Sequence, residues 1–148
     1  MMTLDEILAM WKKDSQIDTV CLDEASKENS KNHAKYLELH SIIKLQLKKK
    51  EMAQKVLLRD KWLHFSGKLS KEKIEEYGWP YDPFNGLKVL KSDFHYFFES
   101  DEDLQKSEER IAYLKTLEET LREIVDNIKW KHQSIKNVLE FQKFTSGM

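Results

Sequence analysis

Residues 104–142 read LQKSEERIAYLKTLEETLREIVDNIKWKHQSIKNVLEFQ. Aliphatic side chains recur in a 3,4 repeat at Leu104, Ile111, Leu114, Leu121, Val125, Ile128, Ile135 and Leu139. Only Ser107, Glu118, His132 and Gln142 interrupt that register. Such spacing predicts one long helix with a continuous apolar seam. Leu117, Ile124, Val138 and Phe141 widen the seam on one flank, which suits a bundle of several helices better than a two-stranded zipper. Ser100-Asp101-Glu102-Asp103 supplies the cap, with acids where the helix dipole favours them. Ile111, Leu114, Leu121, Val125, Ile128, Ile135 and Leu139 are the residues expected to carry self-association.

Upstream, Thr3-Leu4-Asp5-Glu6 has the form of a capping box and opens a short helix running to about Asp14. Asp18 or Thr19 is placed to cap a second helix, and no Pro or Gly interrupts the chain from there until Gly67. A stretch of some 45 residues therefore reads as helix up to an αL stop. Ser70 starts a minor helix ending near Gly78. Trp79-Pro80-Tyr81-Asp82-Pro83-Phe84-Asn85-Gly86 holds both prolines and one of the four glycines and reads as a linker. Leu87 to Glu99, rich in β-formers, reads as an extended segment or short strand. The expected fold is all-α: a short N-terminal helix, then two long helices joined through the linker and assembled through a C-terminal helical bundle. Its parts are a helical N-terminal region (1–78), a linker with the extended segment (79–99) and an oligomerisation helix (100–148). Helices of ~44 residues reach roughly 65 Å at 1.5 Å per residue, against a diameter of about 40 Å for a compact domain of this size. Such helices are either broken where no breaker is visible or belong to an elongated protein that covers its excess apolar stripe in a homo-oligomer, and the second reading is favoured.

The 148 residues include 25 Lys or Arg and 26 Asp or Glu, a formal net charge of −1. That balance hides segregation. Residues 44–61 carry seven bases and two acids, whereas residues 99–126 carry ten acids and four bases. Basic side chains followed by Trp62, His64 and Phe65 supply cations for phosphates and flat rings for bases, as single-stranded nucleic-acid binding requires. At 100° per residue, Lys44, Lys48, Lys55, Arg59 and Trp62 share one helical stripe. Lys61 lies about 200° from Arg59, within the apolar arc, so both meet one strand only if the helix end loosens or the strand wraps around it. The competing reading is a solvated lysine face on a helical scaffold or adaptor that oligomerises without binding DNA.

Other chemistry is not supported. Phosphate-loop, dinucleotide and H-E-x-x-H motifs are missing, as is any Cys/His cluster. No cofactor, metal or enzymatic activity is expected; His33 and His40 read as helix-packing histidines. A single Cys21 excludes an intramolecular disulfide. No apolar run approaches the ~18 residues of a membrane span, and the N-terminal stretch lacks a basic n-region. An intracellular, reducing location without membrane contact is expected.

Five stretches stand out in order: Trp11-Lys12-Lys13-Asp14 with Ile17-Asp18, Lys35-Tyr36-Leu37, His40-Ser41-Ile42-Ile43-Lys44, Ala53-Gln54-Lys55-Val56, and Arg59-Asp60-Lys61-Trp62-Leu63-His64-Phe65-Ser66-Gly67. Pro83-Phe84, Leu87 to Asp93 and Glu99 to Leu104 follow them. Taken together, these stretches resemble the UvsY-type recombination mediators of T-even-like phages. The basic pair here is Arg-x-Lys rather than Lys-x-Arg, and His64 stands for the first of two aromatics. The resemblance implies a non-catalytic, homo-oligomeric, all-helical protein of the infected host's cytoplasm. It implies that Arg59 and Lys61 serve single-stranded DNA. It further implies partnership with a UvsX-type recombinase and with the single-stranded-DNA-binding protein whose coated strands that recombinase must enter.

Overall fold

A computed structural model describes residues 2–16 and 20–147. Its elements are α1 (Leu4–Asp14), α2 (Leu22–Phe65), α3 (Lys71–Tyr77), a 3-10 turn (Lys91–Asp93), α4 (Phe94–Ser100) and α5 (Glu102–Thr145). The described residues contain no strand. Both long helices have 44 residues. The proposed Asp18 or Thr19 cap lies outside the described residues; the first helical bond there is from Ala25 N–H to the Cys21 carbonyl.

The chain forms two units: one takes residues up to 45 and from 114 onward, the other residues 46–113. In the first unit, Thr3 and Glu6 form the anticipated reciprocal capping box at 3.2 and 3.1 Å. Here α2 and α5 run antiparallel. Asn29 Nδ2–H donates to the Ile128 carbonyl at 3.3 Å, and His40 Nε2 meets Glu118 Oε1 at 3.0 Å. The N-terminal helix is fastened by Lys131, whose Nζ donates to the carbonyls of Asp14, Ser15 and Gln16 at 3.2, 2.8 and 3.3 Å. A cation at this position satisfies orphan carbonyls and complements the negative end of α1.

The apolar seam of α5 is largely used inside the chain. Leu114, Leu121, Val125, Ile128 and Ile135 are buried in the first unit, and Ile111 is buried in the second. Burial within one chain has already removed these six from water and leaves them little surface to offer a second protomer. Leu139 alone of the nominated set stays partly exposed. On α5 the exposed large apolar side chains are Trp130, Val138, Phe141 and Phe144.

Asp14, at the end of α1, accepts from Lys35 Nζ at 2.5 Å and from the fully buried Tyr36 hydroxyl at 2.8 Å. Burial acts to raise the Asp14 carboxyl, but these two hydrogen bonds outweigh it and leave the pKa below the usual 3.8. A lowered carboxylate contributes stability that is present above its unfolded pKa and lost as the pH falls through the folded one. Tyr36→Phe is therefore expected to cost roughly 1.5–3 kcal/mol at neutral pH, the range for hydrogen bonds to charged groups. The deficit relative to wild type shrinks below about pH 4. Urea melts at pH 7 and pH 3 measure both; an equal deficit at the two values would refute the assignment.

In the second unit, Gly67 (φ 72°) terminates α2 and Gly78 (φ 72°) terminates α3, both in the left-handed region open to glycine. The linker is built around Asp82, whose carboxylate accepts from the backbone N–H groups of Phe84 and Gly86 at 3.0 and 2.6 Å. That turn delivers Phe84 into a core with Phe65 and Phe94, against which Val89, Phe97 and Phe98 pack. The expected extended segment is thus corrected. Only residues 87–90 lack regular structure; a 3-10 turn follows, and Phe94–Ser100 is α-helical. Packing decides it, since a helix places Phe94, Phe97 and Phe98 on one face over Phe65 and Phe84, overriding β-propensity.

Candidate nucleic-acid interface

The last turns of α2 present two chemically different faces. Lys48, Lys55, Arg59 and Trp62 are exposed, and Lys44 is exposed on the part of the helix that belongs to the first unit. Steps of seven, four and three residues keep Lys48, Lys55, Arg59 and Trp62 on one stripe. Lys48 and Lys55 make no ion pair among the described residues. Arg59 donates from both Nε and Nη2 to Asp60 Oδ1 at 3.2 Å, yet its side chain remains 66% exposed.

Lys61 faces the opposite way. Its side chain is only 6% exposed, with Nζ 3.0 Å from Asp101 Oδ1 and 2.9 Å from Asp103 Oδ2. The same ammonium lies 3.9 Å from the centroid of Trp79, whose indole N–H donates to Asp103 at 2.9 Å. Hydrogen bonding from Lys61 holds the Asp103 carboxyl below its usual 3.8, against a smaller upward push from burial. Trp79 stacks in parallel on Tyr77 at 4.1 Å, and the Tyr77 hydroxyl donates to buried Asp60. That bond, aided by burial, pushes the phenol up to about 12.

His64 is buried beside Trp79, its ring 5.2 Å away, with Nε2–H donating to the Pro80 carbonyl at 2.6 Å. Phe65 lies in the aromatic core. Three residues nominated for DNA contact, Lys61, His64 and Phe65, therefore point into the protein. The reason is the 200° offset between Arg59 and Lys61 on an unbroken helix: one stripe meets solvent while the other meets α3, the linker and the start of α5.

On the exposed side, Leu58, Trp62 and Phe98 line an open, mainly apolar groove of about 620 Å³, with Lys55 and Arg59 on one side and His95 and Glu99 from α4 on the other. Lys68 adds an ammonium 5.1 Å from the Trp62 ring centroid. The groove was invisible in sequence because its second wall is α4, read there as extended chain. The Trp79, Asp101 and Asp103 cage was also missed; an apolar-arc lysine followed by an acidic cluster was its one available signal. Among the described residues no three or more His, Cys, Asp or Glu side chains converge as a metal would need, and no helix is long and apolar enough to cross a membrane.

A family model described as "Recombination, repair and ssDNA binding protein UvsY" matches residues 10–148. The chain belongs to the UvsY family. Recombination protein uvsY of Enterobacteria phage T4 is 25% identical over 146 residues, 99% of both chains. Two crystal structures of the bacteriophage T4 recombination mediator protein UvsY, in lattice types II and IV, share the fold. Their TM-scores are 0.79 and 0.76 at 23% and 22% identity, covering 99% and 97% of this chain and 99% of each of theirs. This UvsY-family fold is all-helical.

Proposed function

We propose that this chain is a recombination mediator. It binds single-stranded DNA through the exposed face of α2 and assembles with copies of itself. In that form it helps a UvsX-type recombinase enter strands already coated by single-stranded-DNA-binding protein, in the cytoplasm of an infected bacterium. It works by binding and carries no catalytic centre. Family membership carries the reading, supported by the exposed cations Lys48, Lys55 and Arg59. A few phosphate contacts hold one protomer weakly, and several protomers on one strand raise the effective concentration of each remaining site.

Three contacts from the second unit predict a slope near −2.1 in log K against log salt for one protomer, at about −0.7 per phosphate on a single strand. Lys55→Ala with Arg59→Ala is expected to flatten it by about 1.4 while leaving helicity unchanged. Fluorescence anisotropy of a labelled oligonucleotide across a salt series measures this; an unchanged slope removes these residues from the interface. Mediation itself is tested by the recombinase's DNA-dependent ATPase on strands saturated with binding protein. Addition of this chain should shorten the lag, and an unaltered lag would count against the role.

A further inference from the structure

We infer that the groove between α2 and α4 receives an unstacked nucleobase, with Trp62 as its stacking platform. The inference rests on the single-stranded-DNA reading above and goes beyond it by assigning a base site. Trp62 is 42% exposed although large and aromatic, and it opens onto a groove whose other apolar walls are Leu58 and Phe98. At about 620 Å³ the space falls inside the range of small-molecule sites, ample for a base and its sugar.

Charge selects the occupant. Lys55 and Arg59 edge the groove from α2, and Lys68 brings a third cation to the same indole. An apolar slot bordered by cations suits a ligand with a flat, apolar face joined to an anion, which describes a nucleotide within a strand. Glu99 stands on the α4 side. Its carboxylate repels phosphate there and accepts from an amino edge, so the backbone is directed toward Lys55 and Arg59 and the base toward α4.

Spacing strengthens the case. Lys55 and Arg59 are four residues apart, about 6 Å along the helix, a span that neighbouring phosphates of one strand can meet while a base beside them turns onto the Trp62 ring. Contact with the ring then replaces the base–base contact that this nucleotide gives up. Duplex DNA, with its bases paired and stacked, has none to offer, so the site favours single strands.

The test compares a thymidine oligonucleotide with an abasic strand of equal length and charge, using wild type, Trp62→Ala and Trp62→Phe. Wild type is expected to prefer the base-bearing strand by about tenfold, within the usual worth of one stacked base. Trp62→Ala should abolish that preference without changing affinity for the abasic strand, and Trp62→Phe should keep most of it. Circular dichroism verifies that the half-exposed position tolerates each change. Equal wild-type affinity for both strands would overturn the base site while leaving the DNA-binding reading standing. A preference that survives Trp62→Ala would place the bases elsewhere and also overturn it. Failure of wild type to bind either strand would sink the underlying reading itself.

Discussion

Lys61→Ala is expected to lower the melting temperature by roughly 5–15 °C, the shift that about 2–4 kcal/mol produces in a chain of this size. The side chain is almost wholly covered and is the shared partner of Asp101 and Asp103. Removing one member of a buried ion pair typically costs ~3–5 kcal/mol; the lower range used here reflects solvent screening at Asp103, whose side chain is 45% exposed. Asp101 also accepts from the Leu104 N–H at 3.0 Å and so caps α5. The lysine therefore fixes the start of that helix to the end of α2 within the second unit. Lys61→Met, which keeps the apolar stem, should recover only the packing part. Acid should narrow the gap: Asp103 titrates below its usual 3.8 in the folded chain, so its contribution is full above that value and fades as pH falls beneath it. Arg59→Ala, by contrast, should leave stability within about 1 kcal/mol, because its pair with Asp60 is screened by water. Loss of DNA affinity in Lys61→Ala with an unchanged melting curve would mean that Lys61 meets the strand directly.

Leu121→Ala should cost about 2–5 kcal/mol, since the side chain is fully buried and its removal leaves a cavity between helices that relax only partly. Phe141→Ser with Phe144→Ser should behave in the opposite way. These rings are 67% and 81% exposed, so their loss spares the folded chain. If they form the surface by which protomers meet, the double variant gives smaller species by light scattering, retains its melting transition at low concentration and binds long single strands more weakly. A double variant with unchanged mass would move the assembly surface off the end of α5.

The helices were legible because their signals are local and redundant. Thr3 with Glu6, Ser70, Gly67 and Gly78 all act where the sequence places them, and the absence of Pro or Gly inside α2 predicts its length. The seam of α5 was equally clear, but periodicity says only that a face is apolar. It does not say whether the cover is another protomer or the antiparallel segment of α2 in the same chain. Phe94 to Ser100 was misread for a related reason: helical spacing of Phe94, Phe97 and Phe98 competed with their β-propensity, and the deciding contacts, Phe65 and Phe84, are distant in sequence. The basic stripe was found by projection, as was the misfit of Lys61. What that lysine does required knowing that Trp79, Asp101 and Asp103 converge on it, which no spacing rule conveys.

The three carbonyls at the end of α1 are held by an ammonium that lies 115 to 117 residues later in the chain. On a ribosome α1 is made before the residue that fastens it, which follows the carbonyls it holds by 115 residues or more. Its docking must wait for α5 to be made whatever its early helicity, and truncation of α5 before Lys131 would loosen α1.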